Sequence, residues 1–255
     1  MNEDPRFFAL IIGTEILNRR RSDKHFDFLT DELLRRGYKL AGSFTIEDDP
    51  ALIVHTLKFL ASQPRSVVFS FGGIGSTPDD HTRKAAAIAL GDGELVTHPE
   101  AREIIQRRIE AMKIPNGRYP LRMAELPRGA KLITENPVNG MPAFYLEDRF
   151  FFVPGFPQMS HPMLRWVLDT IFTGEKKPYH RFTLTALCRE SELIDVMESL
   201  PKDVELSSLP KIYSDGPRVS ISVASRDEEA ARNSFGRFID ELEKKKIPYS
   251  INDER

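Results

Sequence analysis

The sequence contains one cysteine and no long apolar run. The single cysteine, Cys188, excludes an internal disulfide and zinc sites of the Cys₄ or Cys₂His₂ type. The longest apolar run near the start, Phe7 to Ile12, is too short for a signal-peptide core or a membrane span, and the acidic Glu3 and Asp4 precede it. We therefore expect a protein of the reducing cytoplasm that has no membrane partner.

The chain also lacks an excess of charge of either sign. Its 36 Lys and Arg residues are offset by 38 Asp and Glu residues, which leaves a net charge of −2. Without a basic surplus, nucleic acid is not expected as the main partner. The 255 residues are enough for one large domain or two modest ones.

A glycine-rich segment follows the apolar run Val67–Phe69, which is typical of a strand buried on both faces. After Gly72-Gly73-Ile74-Gly75, Thr77 occupies a helix N-cap position, a proline follows it, and Asp80 completes a T-x-x-D capping signature. The alanine-rich residues that follow continue the helix to Leu90. A strand, a glycine loop and a helix N-terminus form the arrangement that α/β proteins use to hold phosphates.

Two aspartates, Asp79 and Asp80, complicate this interpretation because they already offset the positive end of the helix dipole. A phosphate within about 4 Å of either carboxylate would meet a repulsion of about 4 kcal/mol at an effective dielectric near 20. A divalent cation such as Mg²⁺ between carboxylate and phosphate removes that conflict. The motif predicts a metal-assisted phosphate or pyrophosphate site. The alternative is a well-capped helix in which Asp79 pairs with Arg83 at i, i+4.

Alternating strands and helices predict the architecture of the first 150 residues. Buried strands are expected at Phe7–Ile12, at 38–46 and from Val67, each followed by a helix. Three such units in succession indicate a parallel sheet covered on both faces. A hairpin of residues 143–147 and 150–153 returns to the sheet. Each of the first two helices begins near a residue that can cap it: Ser22 or Asp23, and Asp48 or Asp49.

A polar segment closed by proline, Thr173 to Pro178, predicts a domain boundary. Beyond it, strands and helices are expected in the order βαββαβ, which is the split-βαβ, ferredoxin-like arrangement. RNA binding through this second part is disfavoured, since it has neither a G-x-x-G loop nor an aromatic RNP-like strand.

Four ordered motifs resemble those of the competence/damage-inducible protein A (CinA) family, whose N-terminal domain belongs to the molybdopterin-binding MoaB/Mog-like superfamily. The resemblance covers roughly residues 5–175, and the 180–251 segment looks like the small domain that follows in CinA-type proteins. It implies a MoaB/Mog-like domain over residues 1–175 and a ferredoxin-like domain over 179–255. The motifs are G-T-E-I-L from Gly13, G-G-I-G-S-T-P-D-D-H-T from Gly72, N-P-V from Asn136 and P-G-F-P from Pro154.

The resemblance implies a doubly wound, mostly parallel α/β sheet with a phosphate-binding site at the carboxyl ends of its strands. CinA-type domains are associated with hydrolysis of ADP-ribose-like dinucleotides, and the Mog branch adenylylates or binds molybdopterin. Two hypotheses therefore stay open: a Mg²⁺-dependent pyrophosphatase acting on ADP-ribose-like compounds, and a protein that binds or adenylylates molybdopterin. The resemblance also implies a homo-oligomer and a nucleotide or pterin phosphate as the small-molecule partner.

Residue by residue, the resemblance implies particular roles. Asp79 and Asp80 would be metal or catalytic groups. Arg122, in a loop similar to the family's N-R-x-x-A segment, would bind an anion. The other matched residues would surround the phosphate or cofactor: Gly13, Glu15, Gly72, Gly73, Gly75, Ser76, Thr77, Thr82, Asn136, Pro154 and Gly155.

Three segments depart from the family pattern. Arg19-Arg20-Arg21 replaces a usual glycine, and this run suits either phosphate recognition or a solvated loop. The usual N-x-N is replaced by Asp23-Lys24-His25, and the usual P-G-P-P-x-E-M reads P-G-F-P-Q-M from Pro154, without the glutamate. These departures leave the identity of the substrate open, and because of the missing glutamate the hypothesis of binding without chemistry stays open as well.

Overall fold

The computed structural model describes residues 4–173 and 179–252. The chain divides into two compact units, Met1–Glu175 and Lys176–Arg255. The predicted boundary, residues 173–178, falls almost wholly outside the described residues. Within the described ranges, no helix combines the length and apolarity that crossing a membrane requires.

The first unit is built on a six-stranded sheet with the strand order β2-β1-β3-β8-β7-β6. Two further strands, β4 and β5, form a separate antiparallel pair. The strands of this unit are β1 Arg6–Ile12, β2 Leu40–Ile46, β3 Ser66–Phe71, β4 Leu95–Thr97, β5 Glu125–Pro127, β6 Lys131–Ile133, β7 Ala143–Leu146 and β8 Phe150–Val153. The helices are α1 Thr14–Leu17, α2 His25–Arg35, α3 Pro50–Ser62, α4 Thr82–Leu90, α5 Pro99–Met112, α6 Arg118–Leu121 and α7 Pro157–Thr170, with a 3₁₀ turn at Arg122–Ala124.

Strands β2, β1, β3 and β8 run parallel, and β7 runs antiparallel to both of its neighbours. Every residue of β3 is buried, as expected for a central strand covered by helices on both faces. The predicted doubly wound, mostly parallel sheet is therefore confirmed. The β7–β8 hairpin is also found, whereas the β4–β5 pair was not predicted.

Two helices start at aspartates that the sequence singled out. The Asp49 carboxylate accepts a hydrogen bond from the Leu52 N–H at 2.7 Å. The Asp23 carboxylate accepts from the N–H groups of His25 at 2.9 Å and Phe26 at 3.0 Å. Both side chains satisfy N–H groups that the first turn of a helix leaves without a partner.

The helix after the glycine loop starts later than predicted: α4 begins at Thr82, and Thr77 to Asp80 form a turn. The contact expected of a T-x-x-D signature does form, because the Thr77 N–H donates to the Asp80 carboxylate at 2.8 Å. However, the Thr82 N–H donates to the Gly73 carbonyl at 3.0 Å, which brings the helix start back to the loop. Since Asp79 precedes the helix, the alternative of an i, i+4 pair with Arg83 on one helix face is wrong.

The second unit has an antiparallel sheet with the order β10-β11-β9-β12. With the strands taken as first to fourth, this is the order 2-3-1-4, which together with two helices gives the ferredoxin-like arrangement predicted from the sequence. Its core contains Leu184, Val219, Ile221, Phe238 and Leu242. The elements are β9 His180–Ala186, a 3₁₀ turn Glu190–Leu193, α8 Ile194–Glu198, β10 Glu205–Tyr213, β11 Gly216–Ser225, α9 Glu228–Lys244 and β12 Tyr249–Asn252.

Candidate functional site

A pocket of about 470 Å³ opens at the carboxyl ends of the parallel strands in the first unit. Its lining includes the last residue of β1, Ile12, and residues just after the other three strands: Asp48, Gly72 and Pro154. Ligands of open α/β sheets bind at this edge, because the loops that leave the strands diverge there.

Two glycines allow the loop after β3 to line this pocket. Gly72 has φ +100°, and a Cβ at that position would lie 2.4 Å from the Ile12 carbonyl oxygen. Gly73 has φ +68°, and a Cβ there would lie 2.2 Å from the Thr82 Oγ1. The Thr82 hydroxyl in turn donates to the Gly72 carbonyl at 2.9 Å. Only glycine fits both the conformation and the space at these two positions.

Asp80 holds the next part of the loop. Its Oδ1 accepts from the Gly75 N–H at 2.9 Å, and its Oδ2 accepts from the Thr77 N–H at 2.8 Å and the Thr77 hydroxyl at 2.5 Å. A carboxylate oxygen has two lone pairs, so Oδ2 has its full complement of partners. Asp80 therefore positions the main chain between Gly75 and Thr77, with one lone pair on Oδ1 left for a cation or ligand.

Arg83 supports the loop from beneath. Its guanidinium is buried and donates to the carbonyls of Gly75 at 2.8 Å and Glu125 at 3.0 Å, and also to that of Arg122. Burial lowers the pKa of Arg83, and the negative charges of Asp80 and Glu125 oppose that effect. The arginine ties the glycine loop to the segment that precedes β5.

The other carboxylates of the pocket are placed differently. The Asp79 carboxylate is exposed, and hydrogen bonding within the turn that begins at Thr77 lowers its pKa, so it is ionised at neutral pH. The Asp48 carboxylate accepts from the Thr14 N–H at 2.8 Å, and the Glu15 carboxylate lies 3.8 Å from the Arg21 guanidinium. No three His, Cys, Asp or Glu side chains within the described ranges are grouped as a metal cage would require.

The facing wall comes from residues far along the chain. Asn136 is buried, and its amide nitrogen donates to the Asn139 Oδ1 at 2.7 Å and to the Met141 carbonyl at 3.0 Å. These bonds shape the loop between β6 and β7. Gly155 lies against Gly72, since a Cβ at Gly155 would be 3.4 Å from the Gly72 Cα. The segment after β8 thus closes the pocket on the glycine loop.

All but three of the residues predicted for the site line the pocket. Of the three exceptions, Thr82 lies beneath the loop. Gly13 lies beside the Glu15 carboxylate, which would be 2.9 Å from a Cβ at position 13. The Arg122 guanidinium instead lies over the Tyr119 ring, 5.2 Å from its centre. The residues brought together are Glu15, Gly72, Gly73, Gly75, Ser76, Thr77, Asp79, Asp80, Asn136, Pro154 and Gly155.

The pocket also contains residues that sequence reasoning did not assign to the site. Most of them are apolar or carry an amide, and they belong to segments whose proximity depends on the folding of the chain. A substitution in the P-G-F-P motif was the one signal that pointed to Phe156. The unassigned residues are Ile12, Asp48, Ile74, Met123, Asn139, Met141, Pro142, Phe156 and Met159; Arg21, also in the lining, belongs to the arginine run for which phosphate recognition stayed open.

Two histidines, the buried His25 and the half-buried His161, lie behind the pocket wall. The His25 Nε2–H donates to the Gly155 carbonyl at 3.4 Å, and the ring stacks on Phe71 at a centroid distance of 4.2 Å. The His161 ring stacks on Phe28 at 3.6 Å and lies 5.4 Å from the His25 ring. Neither His25 Nδ1 nor His161 Nε2 has a hydrogen-bond partner among the described residues. Burial disfavours the charged form of both rings.

Acid should destabilise the first unit through His161. Burial, followed by the neighbouring His25 and Arg165, lowers the pKa of His161 to about 4 from its ordinary 6.5. Below pH 6.5 the unfolded chain therefore binds a proton that the folded chain excludes, so stability falls as the pH falls towards 4. After a discount for partial exposure we expect a loss of about 2 kcal/mol between pH 7 and pH 4.5.

The measurement is urea unfolding at both pH values, followed by the fluorescence of Trp166, the single tryptophan of the chain. His161→Phe keeps a ring against Phe28 and removes the titrating group. The wild type should lose about 2 kcal/mol more than this variant between the two pH values. Equal losses in the two proteins would show that His161 does not contribute.

A family model described as "Probable molybdopterin binding domain" matches residues 8–173. A protein of Thermococcus kodakarensis is 31% identical over 236 residues, which cover 86% of this chain and 90% of that protein. A CinA-like protein of Citrifermentans bemidjiense is 32% identical over 185 residues, which cover 70% of this chain and 44% of that protein. The chain thus matches most of the archaeal relative but less than half of the CinA-like one.

Among solved structures, the crystal structure of a CinA protein of unknown function from Thermoplasma acidophilum is similar to this chain. The TM-score is 0.57 at 25% sequence identity, and the match covers 65% of this chain and 98% of that one. The family match lies wholly within the first unit, the same unit that contains the pocket.

Proposed function

The chain belongs to the molybdopterin-binding domain family, in its CinA-like branch, and from that premise we propose that the pocket binds a nucleotide or pterin phosphate. One observation carries the proposal. Gly73, Ile74 and Ser76 line the pocket, and their N–H groups donate to no acceptor among the described residues. Main-chain N–H groups of one loop that are left without an acceptor can form a concave anion site.

We further propose that the bound compound is an ADP-ribose-like dinucleotide and that the protein hydrolyses its phosphoanhydride with the help of Mg²⁺. The carboxylates of the pocket fit a metal ion that binds together with the phosphates of the substrate. Asp79 offers an ionised, exposed carboxylate in the pocket, whereas both oxygens of Asp80 already accept hydrogen bonds. Mg²⁺ is commonly held by one or two carboxylates together with substrate phosphates and water, and when bound it neutralises charge on the phosphoanhydride.

The chain's own groups have separate tasks in this proposal. The free N–H groups of the glycine loop would hold the phosphoryl oxygens and stabilise the charge that develops on them. Hydrolysis also needs a group that takes the proton of the attacking water. Glu15 is better placed for this task than Asp48, because Oδ2 of Asp48 accepts both the N–H and the hydroxyl of Thr14.

Binding without chemistry is the second candidate function, with molybdopterin as the ligand. Two observations favour it: the described residues contain no preformed metal cage, and the P-G-F-P-Q-M segment from Pro154 lacks the glutamate of the family pattern. Under this proposal the same N–H groups hold the pterin's phosphate, and divalent metal is not required. Either function is compatible with a homo-oligomer, which light scattering would test.

Product release from ADP-ribose, NAD, FAD and ATP, with Mg²⁺ and with chelator, separates the two candidates. We expect Mg²⁺-dependent cleavage of ADP-ribose by the wild type and a loss of at least about a hundredfold in Asp79→Asn, in line with removal of a charged group that contacts the metal. Asp31→Asn, at an exposed carboxylate of α2 outside the pocket, is the matched control and should cleave normally.

The absence of turnover on all four compounds would overturn the pyrophosphatase. Calorimetric titration of the same compounds, and of molybdopterin, would then decide whether the pocket binds phosphate at all. Binding that persists in the presence of chelator would support the second candidate. Failure of every compound to bind would overturn the phosphate site itself.

A further inference from the structure

An exposed aromatic ring at the pocket has no role in phosphate binding. Phe156 lines the pocket and its side chain is 55% exposed, although most of the phenylalanines around the central sheet are fully buried. The ring lies at the residue before α7, directly after Gly155, which packs against Gly72. Phe156 is therefore held beside the phosphate loop by the main chain, and its exposure is not the result of a loose segment.

A cation accompanies this ring. The Arg21 guanidinium lies over Phe156 at 5.1 Å from the ring centre, and it also lines the pocket. Glu15 lies 3.8 Å from the guanidinium, and the Arg21 N–H donates to the Glu15 carbonyl at 3.0 Å. These contacts hold a planar guanidinium and a planar ring next to each other at the edge of the site.

We propose that Arg21 and Phe156 form the binding surface for the planar heteroaromatic ring of the ligand, whose phosphate occupies the glycine loop. Guanidinium planes and phenylalanine rings both stack on bases, and such stacking tolerates any base because each has a π face. The pair would select ring-bearing phosphates, such as nucleotides and pterin phosphates, over sugar phosphates and pyrophosphate. The inference rests on the proposed phosphate site and adds the feature that determines its specificity.

AMP and ribose 5-phosphate test this inference, because they share the sugar phosphate and differ in the ring. We expect calorimetry with Mg²⁺ to show AMP bound at least about tenfold more tightly by the wild type, the lower part of the range for one stacked base. Phe156→Ala should lose about tenfold in AMP affinity and keep the affinity for ribose 5-phosphate, and Phe156→Tyr should restore the preference. Arg21→Lys keeps the positive charge but not the planar group, so it should lower the affinity for AMP more than the affinity for ribose 5-phosphate.

Phe26→Ala is the matched control, since Phe26 is also an exposed phenylalanine of the first unit but lies outside the pocket. Equal affinity of the wild type for AMP and ribose 5-phosphate would overturn the inference and leave the phosphate site standing. So would a Phe156→Ala variant that behaves like Phe26→Ala. If neither compound binds to the wild type, the proposed function and this inference both fail.

Discussion

Asp80→Asn is expected to lower the affinity for a bound phosphate compound by about a hundredfold while the protein remains folded. The carboxylate accepts three hydrogen bonds, from the N–H groups of Gly75 and Thr77 and from the Thr77 hydroxyl. Asparagine has one acceptor oxygen, and its amide nitrogen would face an N–H donor. With hydrogen bonds to charged groups worth about 1.5–3 kcal/mol each, the loss of one or two of them would release the loop.

Asp79→Asn is the partner experiment, because Asp79 is the neighbouring residue with the same chemistry and a different environment. Its carboxylate is exposed, and the N–H groups of Gly75 and Thr77 donate to Asp80 and not to Asp79. We therefore expect this variant to bind ADP-ribose like the wild type in chelator and to lose only the part of the affinity that Mg²⁺ adds. Calorimetric titration of both variants, each with and without Mg²⁺, makes the comparison.

The two variants separate two roles for the aspartates. If Asp80→Asn is weakened only when Mg²⁺ is present, Asp80 is a metal ligand and its role in holding the loop is secondary. If Asp79→Asn is weakened equally with and without Mg²⁺, its carboxylate contacts the ligand directly. An Asp80→Asn variant that binds like the wild type under both conditions would contradict the proposed role of the loop.

Gly73→Ala should destabilise the first unit by about 3 kcal/mol or more, whereas Gly129→Ala should cost only about 1 kcal/mol. Both glycines have positive φ, +68° for Gly73 and +79° for Gly129, so both variants carry the same backbone strain. They differ in the space around the new methyl group. At Gly129 nothing lies within 4 Å, but at Gly73 the Thr82 Oγ1 would be 2.2 Å away and the Thr82 Cβ 3.2 Å away.

Urea unfolding followed by Trp166 fluorescence measures this difference, and titration of AMP shows whether the loop still binds. Gly73→Ala combined with Thr82→Ala removes the Oγ1 and should recover part of the stability, although the hydrogen bond to the Gly72 carbonyl is lost as well. Equal costs for Gly73→Ala and Gly129→Ala would show that the loop shifts freely to make room. In that case the close packing of Gly73 on Thr82 would not matter for the site.

Local patterns predicted most of the fold correctly. Short apolar runs bounded by glycine or proline became β1, β3 and β8, and the aspartates at 23 and 49 cap helices as expected. Patterns of this kind depend on neighbours in sequence, such as a capping side chain within three residues of the N–H that it accepts from. The β4–β5 pair was missed because each strand has three residues, too few for a periodic signal.

The glycine motif located the loop that lines the pocket, but it did not distinguish the two aspartates. Both are aspartates and they are adjacent in the sequence, so the sequence pattern predicted that both lie in the first turn of a helix. The turn from Thr77 to Asp80 directs one carboxylate onto main-chain N–H groups and leaves the other exposed. That difference arises from a backbone bent by two glycines and fixed by Thr82, which follows them by about ten residues.

Residue order and chemistry were thus sufficient for most of the strands, the glycine loop and the carboxyl edge on which the pocket lies, because these follow from short-range propensity and from the handedness of parallel connections. The facing wall, the pairing of Arg21 with Phe156 and the burial of His25 against His161 depended on the packed chain. Each depends on a contact between residues more than 80 positions apart in the sequence, which no local pattern encodes. Their proximity results from the burial of apolar surface around the sheet, a property of the whole first unit.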